Sequence, residues 1–161
     1  MHRALYSENL NYRRNRGAHK AMLARPKSYK EMDMATIALT ADNLESTIEN
    51  NDIVLIDFWA EWCGPCKTFG PIFEAASDAH ADVTFAKCDT EAEQVVAAQF
   101  GIQSIPTVAA FREQVLVFAQ PGALPQEALE QLIGQLKALD MDDVRKKIAE
   151  AQAQAELNGD D

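Results

Sequence analysis

The sequence predicts an α/β fold in which a central mixed β-sheet is covered by helices on both faces. Strand-like apolar runs alternate with helix-like segments from Thr36 onward, a pattern typical of parallel strands joined by helices. Later in the chain, TVAAF and VLVFAQ are separated by residues 112–114 alone, which indicates an antiparallel hairpin. The length of 161 residues suits one domain.

The elements can be placed in chain order. A strand is expected over Thr36–Leu39, and an acidic cap at Asp42 is expected to open a helix that runs to Asn50. The run IVLIDFWA is almost wholly apolar, as in a parallel strand buried on both faces. Next come a helix over Cys63–His80, a strand over Val83–Cys88, a helix over Glu91–Phe100 ended by Gly101, the hairpin strands, and an amphipathic helix over Leu124–Leu139. The hairpin turn lacks the Gly or Asn that most tight turns use, so its geometry is left open.

Charge divides the chain into a basic beginning and an acidic remainder. Residues 1–33 carry eight Lys or Arg and three acids, without apolar periodicity, which indicates a disordered basic arm. This arm is either an organellar transit peptide or a translated segment upstream of a true start at Met34, and we favour the second. From Met34 onward, 7 basic residues face 22 acidic ones, a formal charge of −15 that disfavours nucleic acid and anionic membranes as partners.

A separate extension is expected at residues 140–161. Asp140 can cap a helix in which Val144, Ile148, Ala151 and Ala155 form one weak, Ala-rich stripe. We therefore expect a solvated helix rather than one that docks a partner. The predicted organisation is an arm at 1–33, a domain at 34–139 and this extension.

Three cysteines form an odd set with no scaffold spacing, which favours a reducing, cytoplasmic compartment over secretion. Since the longest apolar run is the five residues Val115–Ala119, no membrane-spanning segment is expected. Cys88 ends a buried strand and is interpreted as a small core side chain.

Two of the cysteines stand together in the stretch EWCGPCK. A helix that starts near Cys63 places Cys66 about one turn away, so that the two sulfurs can form a disulfide reversibly. The helix N-terminus favours the Cys63 thiolate, which predicts Cys63 as the nucleophile and a shielded Cys66 as the thiol that resolves a mixed disulfide. Pro65 suits the first helical turn, and Gly64 keeps bulk away from a partner. Zinc is disfavoured, since only Cys88 and three dispersed histidines remain as ligands, so neither metal nor cofactor is expected.

From about Met34 to Leu139 the chain resembles the thioredoxin family. The resemblance is carried by VLIDFWAEWCGPCKTFGPIFEAA, followed in order by FAKCDT, FGIQSIPTVAAF and GALP. It implies a thioredoxin fold and a protein-disulfide reductase, and the Gly-Pro dipeptide is like that of reductant members of the family. The expected partners are an NADPH-dependent flavoprotein thioredoxin reductase and disulfide-containing client proteins, with the chain acting as a monomer.

The resemblance also assigns roles to single residues. Asp57, a carboxylate in an apolar strand, matches the family's acid/base that helps Cys66 lose its proton, and Lys87 matches its partner lysine. Ile105-Pro106 matches the family's cis-proline loop, whereas Trp59 is expected to pack beside the site. The implied client-binding patch comprises Trp62, Gly64, Pro65, Ile105, Pro106, Gly122 and Ala123.

Two alternatives stay open. The chain could be a thioredoxin-fold interaction module, similar to a co-chaperone, in which the redox pair is dispensable. It could instead be a disulfide oxidase or isomerase of the same fold, which a strongly oxidising potential would reveal.

Overall fold

The computed structural model describes residues 35–158, which form five strands and five helices. The strands are β1 (Thr36–Ala38), β2 (Ile53–Trp59), β3 (Thr84–Asp89), β4 (Thr107–Arg112) and β5 (Val115–Pro121). The helices are α1 (Leu44–Glu49), α2 (Gly64–Ala79), α3 (Gln94–Gln99), α4 (Gln126–Ala138) and α5 (Met141–Asn158). The predicted arm at 1–33 lies outside the described residues, and the division of the chain into arm, domain and extension stays a prediction.

The strands form one mixed sheet in the order β1-β3-β2-β4-β5. β3 runs parallel to both β1 and β2, whereas β4 pairs antiparallel with β2 and β5 with β4. The parallel pairs need helical crossovers, and the β4–β5 pair is the predicted hairpin. The predicted mixed sheet is therefore confirmed.

Helices cover the sheet on both faces because β2 is apolar at nearly every position. Ile53 and Leu55 pack in a core with side chains of α2 and α4, and Val54 and Ile56 pack in a second core with α1 and α3. Successive strand residues point to opposite faces, so this one strand contributes to both cores. The α2–α4 core includes Phe69, Phe73, Leu129 and Ile133.

Two helices begin later than the sequence suggested. The acidic cap at Asp42 was wrong, since α1 begins at Leu44 after Asn43, whose Oδ1 accepts the Thr40 N–H at 2.8 Å. α3 spans Gln94–Gln99, because the Asp89 carboxylate accepts the N–H groups of residues 91 and 92 and holds them in a turn. Gly101 follows α3 with a φ of 63°, as a helix-ending glycine should.

The hairpin turn is made by Glu113 and Gln114, with φ angles of 46° and 68°. Two consecutive positive φ angles are the signature of a type I′ turn, which matches the twist of the flanking strands and which Asn and Gly normally supply. The turn therefore has ordinary geometry and unusual residues. Glu113 also accepts a hydrogen bond from Arg145 of α5 at 2.7 Å, so its side chain has a use beyond the turn.

Gln114→Gly is expected to raise the free energy of unfolding by about 0.5–1 kcal/mol, because glycine adopts a positive φ without the Cβ penalty. Urea denaturation of the two proteins measures the difference. The matched control is Gln120→Gly on β5, an exposed position in a strand, where the same change should destabilise by a similar amount. Stabilisation by both changes would contradict the turn argument.

α5 is anchored by its first turn. Asp140 Oδ1 accepts the N–H groups of Asp142 and Asp143 at 3.1 and 3.2 Å, which confirms the predicted cap. Met141 is buried, whereas Ile148 on the predicted stripe is 38% exposed. The later side chains of α5 described by the structure are exposed as well. No helix within residues 35–158 is long and apolar enough to span a membrane.

Candidate active site

Cys63 and Cys66 form a disulfide at the N-terminus of α2. Cys63 is the residue that caps the helix, and its Sγ accepts the Cys66 N–H at 3.2 Å, with 5.3 Å between the two Cα atoms. Pro65 lies in the first helical turn, where its missing N–H leaves no partner unsatisfied. The helix start thus directs a backbone donor and the positive end of its dipole at the Cys63 sulfur, which stabilises negative charge there.

Exposure does not distinguish the two cysteines in this disulfide form. Cys63 is 3% exposed and Cys66 4%, although the sequence suggested a reachable Cys63 and a hidden Cys66. Each sulfur is covered partly by the other, and the Ile105 carbonyl oxygen lies 3.7 Å from Cys63 Sγ. The predicted difference in accessibility therefore concerns the dithiol form.

The loop that carries this carbonyl contains a cis peptide bond between Ile105 and Pro106, as the resemblance implied. The Pro106 carbonyl accepts the Gly122 N–H at 2.7 Å, so the end of β5 is fastened to the loop. Gly122 has a φ of 108°, which favours glycine, and both it and Ala123 are exposed. The structure thus brings the loop and the Gly122 turn together beside the disulfide.

Trp62 extends the exposed surface next to the cysteines. Its side chain is 69% exposed, and its indole N–H donates to Glu91 Oε1 at 3.0 Å. Gly64 and Pro65 are exposed next to it. Trp62 and Ile105 line one groove of about 540 Å³ that continues along α3. The predicted client-binding residues therefore surround the disulfide, and their role in binding stays a prediction.

Asp57 is fully buried in β2, and neither carboxylate oxygen has a hydrogen-bond partner among the residues that the structure describes. Burial raises the pKa of Asp57 from 3.8 to about 7, against the opposing charge of Lys87 and with a smaller contribution from Glu74. Asp57 shares a sheet face with Leu55, the face on which α2 packs. A carboxyl with this pKa can both hold and release a proton near neutral pH.

Lys87 is hydrogen-bonded to a carboxylate other than that of Asp57. It is the register neighbour of Asp57, but its Nζ donates to Glu74 Oε1 at 2.9 Å and lies 5.2 Å from the centroid of the Trp59 ring. Sequence reasoning missed Glu74. One signal could have found it, because Glu74 follows Cys66 by eight residues, about two helical turns, on the same side of α2.

Cys88 is buried in the second core, and burial, with the nearby carboxylates of Glu93 and Asp89, raises its pKa to about 12. This environment agrees with the interpretation of Cys88 as a core side chain. Within residues 35–158, no three His, Cys, Asp or Glu side chains are placed to hold a metal ion.

Comparison with known proteins identifies the chain's family, since residues 35–135 match the thioredoxin family model. The chain belongs to the thioredoxin family. A Streptomyces coelicolor protein that bears the provisional name thioredoxin 2 is 60% identical over 121 residues, which cover 75% of this chain and 90% of that protein. A thioredoxin of Alicyclobacillus acidocaldarius is 43% identical over 97 residues, covering 60% of this chain and 92% of that protein.

Solved structures agree with this assignment. A mutant thioredoxin from Halobacterium salinarum is similar with a TM-score of 0.62 at 30% identity, covering 67% of this chain and 95% of that one. The fold is therefore the thioredoxin fold with an added C-terminal helix, α5. As a thioredoxin, the chain is a thiol-disulfide oxidoreductase that performs dithiol–disulfide exchange, and Cys63–Cys66 is its redox-active disulfide.

Proposed function

We propose that the chain is a cytoplasmic protein-disulfide reductase that acts as a monomer. In this proposal it receives electrons from an NADPH-dependent flavoprotein thioredoxin reductase and passes them to client proteins with disulfides. The observation that carries the proposal is the Cys63–Cys66 disulfide at the start of α2, with the Cys66 N–H directed at Cys63 Sγ. This contact supports Cys63 as the sulfur that carries negative charge and attacks.

The reaction runs in two steps. In the first, the Cys63 thiolate attacks one sulfur of the client disulfide, forms a mixed disulfide and releases the other client sulfur as a thiolate. In the second, Cys66 gives its proton to the Asp57 carboxylate and attacks Cys63 Sγ, which releases the client's remaining thiolate. The client gains two electrons, the chain is left with the Cys63–Cys66 disulfide, and the proton on Asp57 returns through water to a thiolate product.

Asp57 suits the second step because its pKa of about 7 lies near the working pH. A carboxylate with an ordinary pKa would be a weaker base towards the Cys66 thiol. A carboxyl group that is fully protonated at neutral pH could not accept the Cys66 proton. Its burial on the α2 face of the sheet supports this role.

The client surface is formed by residues of the active-site segment, Trp62, Gly64 and Pro65, together with residues of the cis-proline loop and the turn after β5, Ile105, Pro106, Gly122 and Ala123. An extended client strand can hydrogen-bond to the backbone of the Ile105 loop while its side chains contact the groove beside Trp62. Nearness of the Ile105 carbonyl to Cys63 Sγ supports delivery of the client disulfide to that sulfur.

The test is reduction of insulin disulfides with NADPH and a bacterial thioredoxin reductase, followed by NADPH absorbance. We expect sustained NADPH oxidation that depends on the chain. A parallel equilibrium with glutathione should give a potential close to about −270 mV, the general value for thioredoxin rather than a result of this structure. A folded protein with two titratable thiols but no NADPH oxidation would refute the proposal, and a potential near about −120 mV would favour an oxidase.

A further inference from the structure

Three charged side chains lie on the face of the sheet that α2 covers, and their pairing is unexpected. Lys87 on β3 is the register neighbour of Asp57 on β2, so an ion pair between them would be the simple arrangement. The Lys87 ammonium instead donates to Glu74 of α2 at 2.9 Å, and the two Asp57 oxygens have no hydrogen-bond partner within the described part of the chain. The acid that the mechanism uses is thus left without a cation bonded to it.

We propose that Glu74 is a positioning residue for the buried acid, because it holds the Lys87 ammonium on α2 and so keeps it from bonding to Asp57. This inference rests on the proposed role of Asp57 in the second step of the exchange. Glu74 acts through Lys87, to which it is hydrogen-bonded.

Local geometry supports this role. A Cβ placed on Gly70, one turn before Glu74, would lie 3.5 Å from Lys87 Nζ, so the ammonium lies along α2 at these two positions. The centroid of the Trp59 ring lies 5.2 Å from the ammonium, a distance at which a cation–π interaction is favourable. Two contacts therefore hold Lys87 at this location, and Glu74 provides the charged one.

Hydration explains why this arrangement is stable. The side chains of Lys87 and Glu74 are 20% and 45% exposed, so both groups keep part of their water. A pair between Lys87 and Asp57 would require both charges to lose more water, at a greater cost in free energy, than the pair with Glu74 does, so Glu74 is the preferred partner while it is present.

The charges that act on Asp57 come from two elements. β3 contributes Lys87, which lowers the pKa of Asp57, and α2 contributes Glu74, which raises it. β4 presents apolar Val108 in register with Asp57. α4 packs apolar side chains against this face of the sheet. Without Glu74, Lys87 would be free to approach Asp57, and a cation within hydrogen-bond reach lowers a carboxyl pKa by about 1–3 units.

The test uses Glu74→Ala in the disulfide form, with the pKa of Asp57 followed by NMR of ¹³C-labelled aspartate carboxyls. We expect the pKa of Asp57 to fall by about one unit or more. Asp78→Ala is the matched control, since it removes one exposed carboxylate from the same helix and should change the pKa of Asp57 by only a few tenths. An unchanged Asp57 pKa in Glu74→Ala would overturn the inference.

A second comparison distinguishes positioning of Lys87 by Glu74 from direct repulsion between the Glu74 and Asp57 carboxylates. In a Lys87→Met background, Glu74→Ala should shift the pKa of Asp57 by less than half as much, because the ammonium that Glu74 holds is gone. Equal shifts in the two backgrounds would mean that Glu74 acts by its charge alone, which also overturns the inference. Both readouts are made without a client or a reductase, so their failure is distinct from failure of insulin reduction.

Discussion

Replacing Cys63 with serine should lower insulin reduction by more than about 1000-fold, to the background rate. The hydroxyl that replaces the thiol is not ionised by the helix N-terminus at neutral pH, so the first mixed disulfide cannot form. Cys66 remains, but it lies in the first turn of α2, whereas Cys63 is the cap of the helix and the sulfur beside the Ile105 carbonyl. The measurement is NADPH oxidation at saturating thioredoxin reductase.

The matched control is Cys66→Ser, which keeps the attacking sulfur and removes the resolving one. This variant should also turn over poorly, but it should accumulate a covalent adduct with the client that mass spectrometry detects and dithiothreitol releases. Equal accumulation of an adduct through Cys66 in the Cys63→Ser protein would contradict the assigned order of attack.

Replacing Asp57 with asparagine should stabilise the protein at alkaline pH by up to about 4 kcal/mol. In the folded chain the pKa of Asp57 is about 7, whereas the unfolded chain has the ordinary value of 3.8. Ionising a buried carboxyl without hydrogen-bond partners therefore costs free energy in the folded state alone. Asparagine has a similar shape and never ionises, so it avoids this cost.

The direction of the pH dependence follows from the raised pKa. Below pH 3.8, Asp57 is protonated in both the folded and the unfolded state, so its burial does not destabilise the wild type. Between pH 3.8 and about 7, Asp57 ionises only in the unfolded state, so the wild type loses stability as the pH rises. Above about pH 7 both states are ionised and the difference is constant. Urea denaturation should thus show a small difference between the two proteins near pH 4 and the full difference near about pH 8.5.

Asp42→Asn provides the control, because it removes one carboxylate from an exposed position. Its effect should stay within about 0.5 kcal/mol across the same pH range. A stability difference for Asp57→Asn that does not change with pH would show that the carboxyl has an ordinary pKa in the folded chain. The same result would remove the basis for its role as a proton acceptor.

The sequence predicted the main features of the sheet and the site because each had a local signal. The apolar run of β2 indicated burial on both faces, and Asp57 was conspicuous as the carboxylate inside it. The spacing of Cys63 and Cys66 required only helical geometry. Each of these features depends on residues that are close together in the sequence, so it can be recognised without the tertiary structure.

Other features depend on how elements are placed against one another. The ion pair of Lys87 with Glu74 requires the position of α2 over β3, which no local pattern fixes. The late start of α3 depends on competition by the Asp89 side chain for backbone N–H groups. In the hairpin, the pairing of β4 with β5 outweighs the local preference of Glu113 and Gln114 for negative φ.

The carbonyl of Ile105 beside Cys63 has a consequence for selectivity. This carbonyl oxygen lies beside Cys63 Sγ and can accept a hydrogen bond from a main-chain N–H of a bound polypeptide. Every residue except proline has such an N–H group. In the proposed binding mode, recognition at this point does not depend on side-chain identity. It depends on local unfolding of the client, because only an extended segment has main-chain N–H groups free to donate. If clients bind this carbonyl as proposed, the chain should select them by how readily the backbone around their disulfides becomes extended.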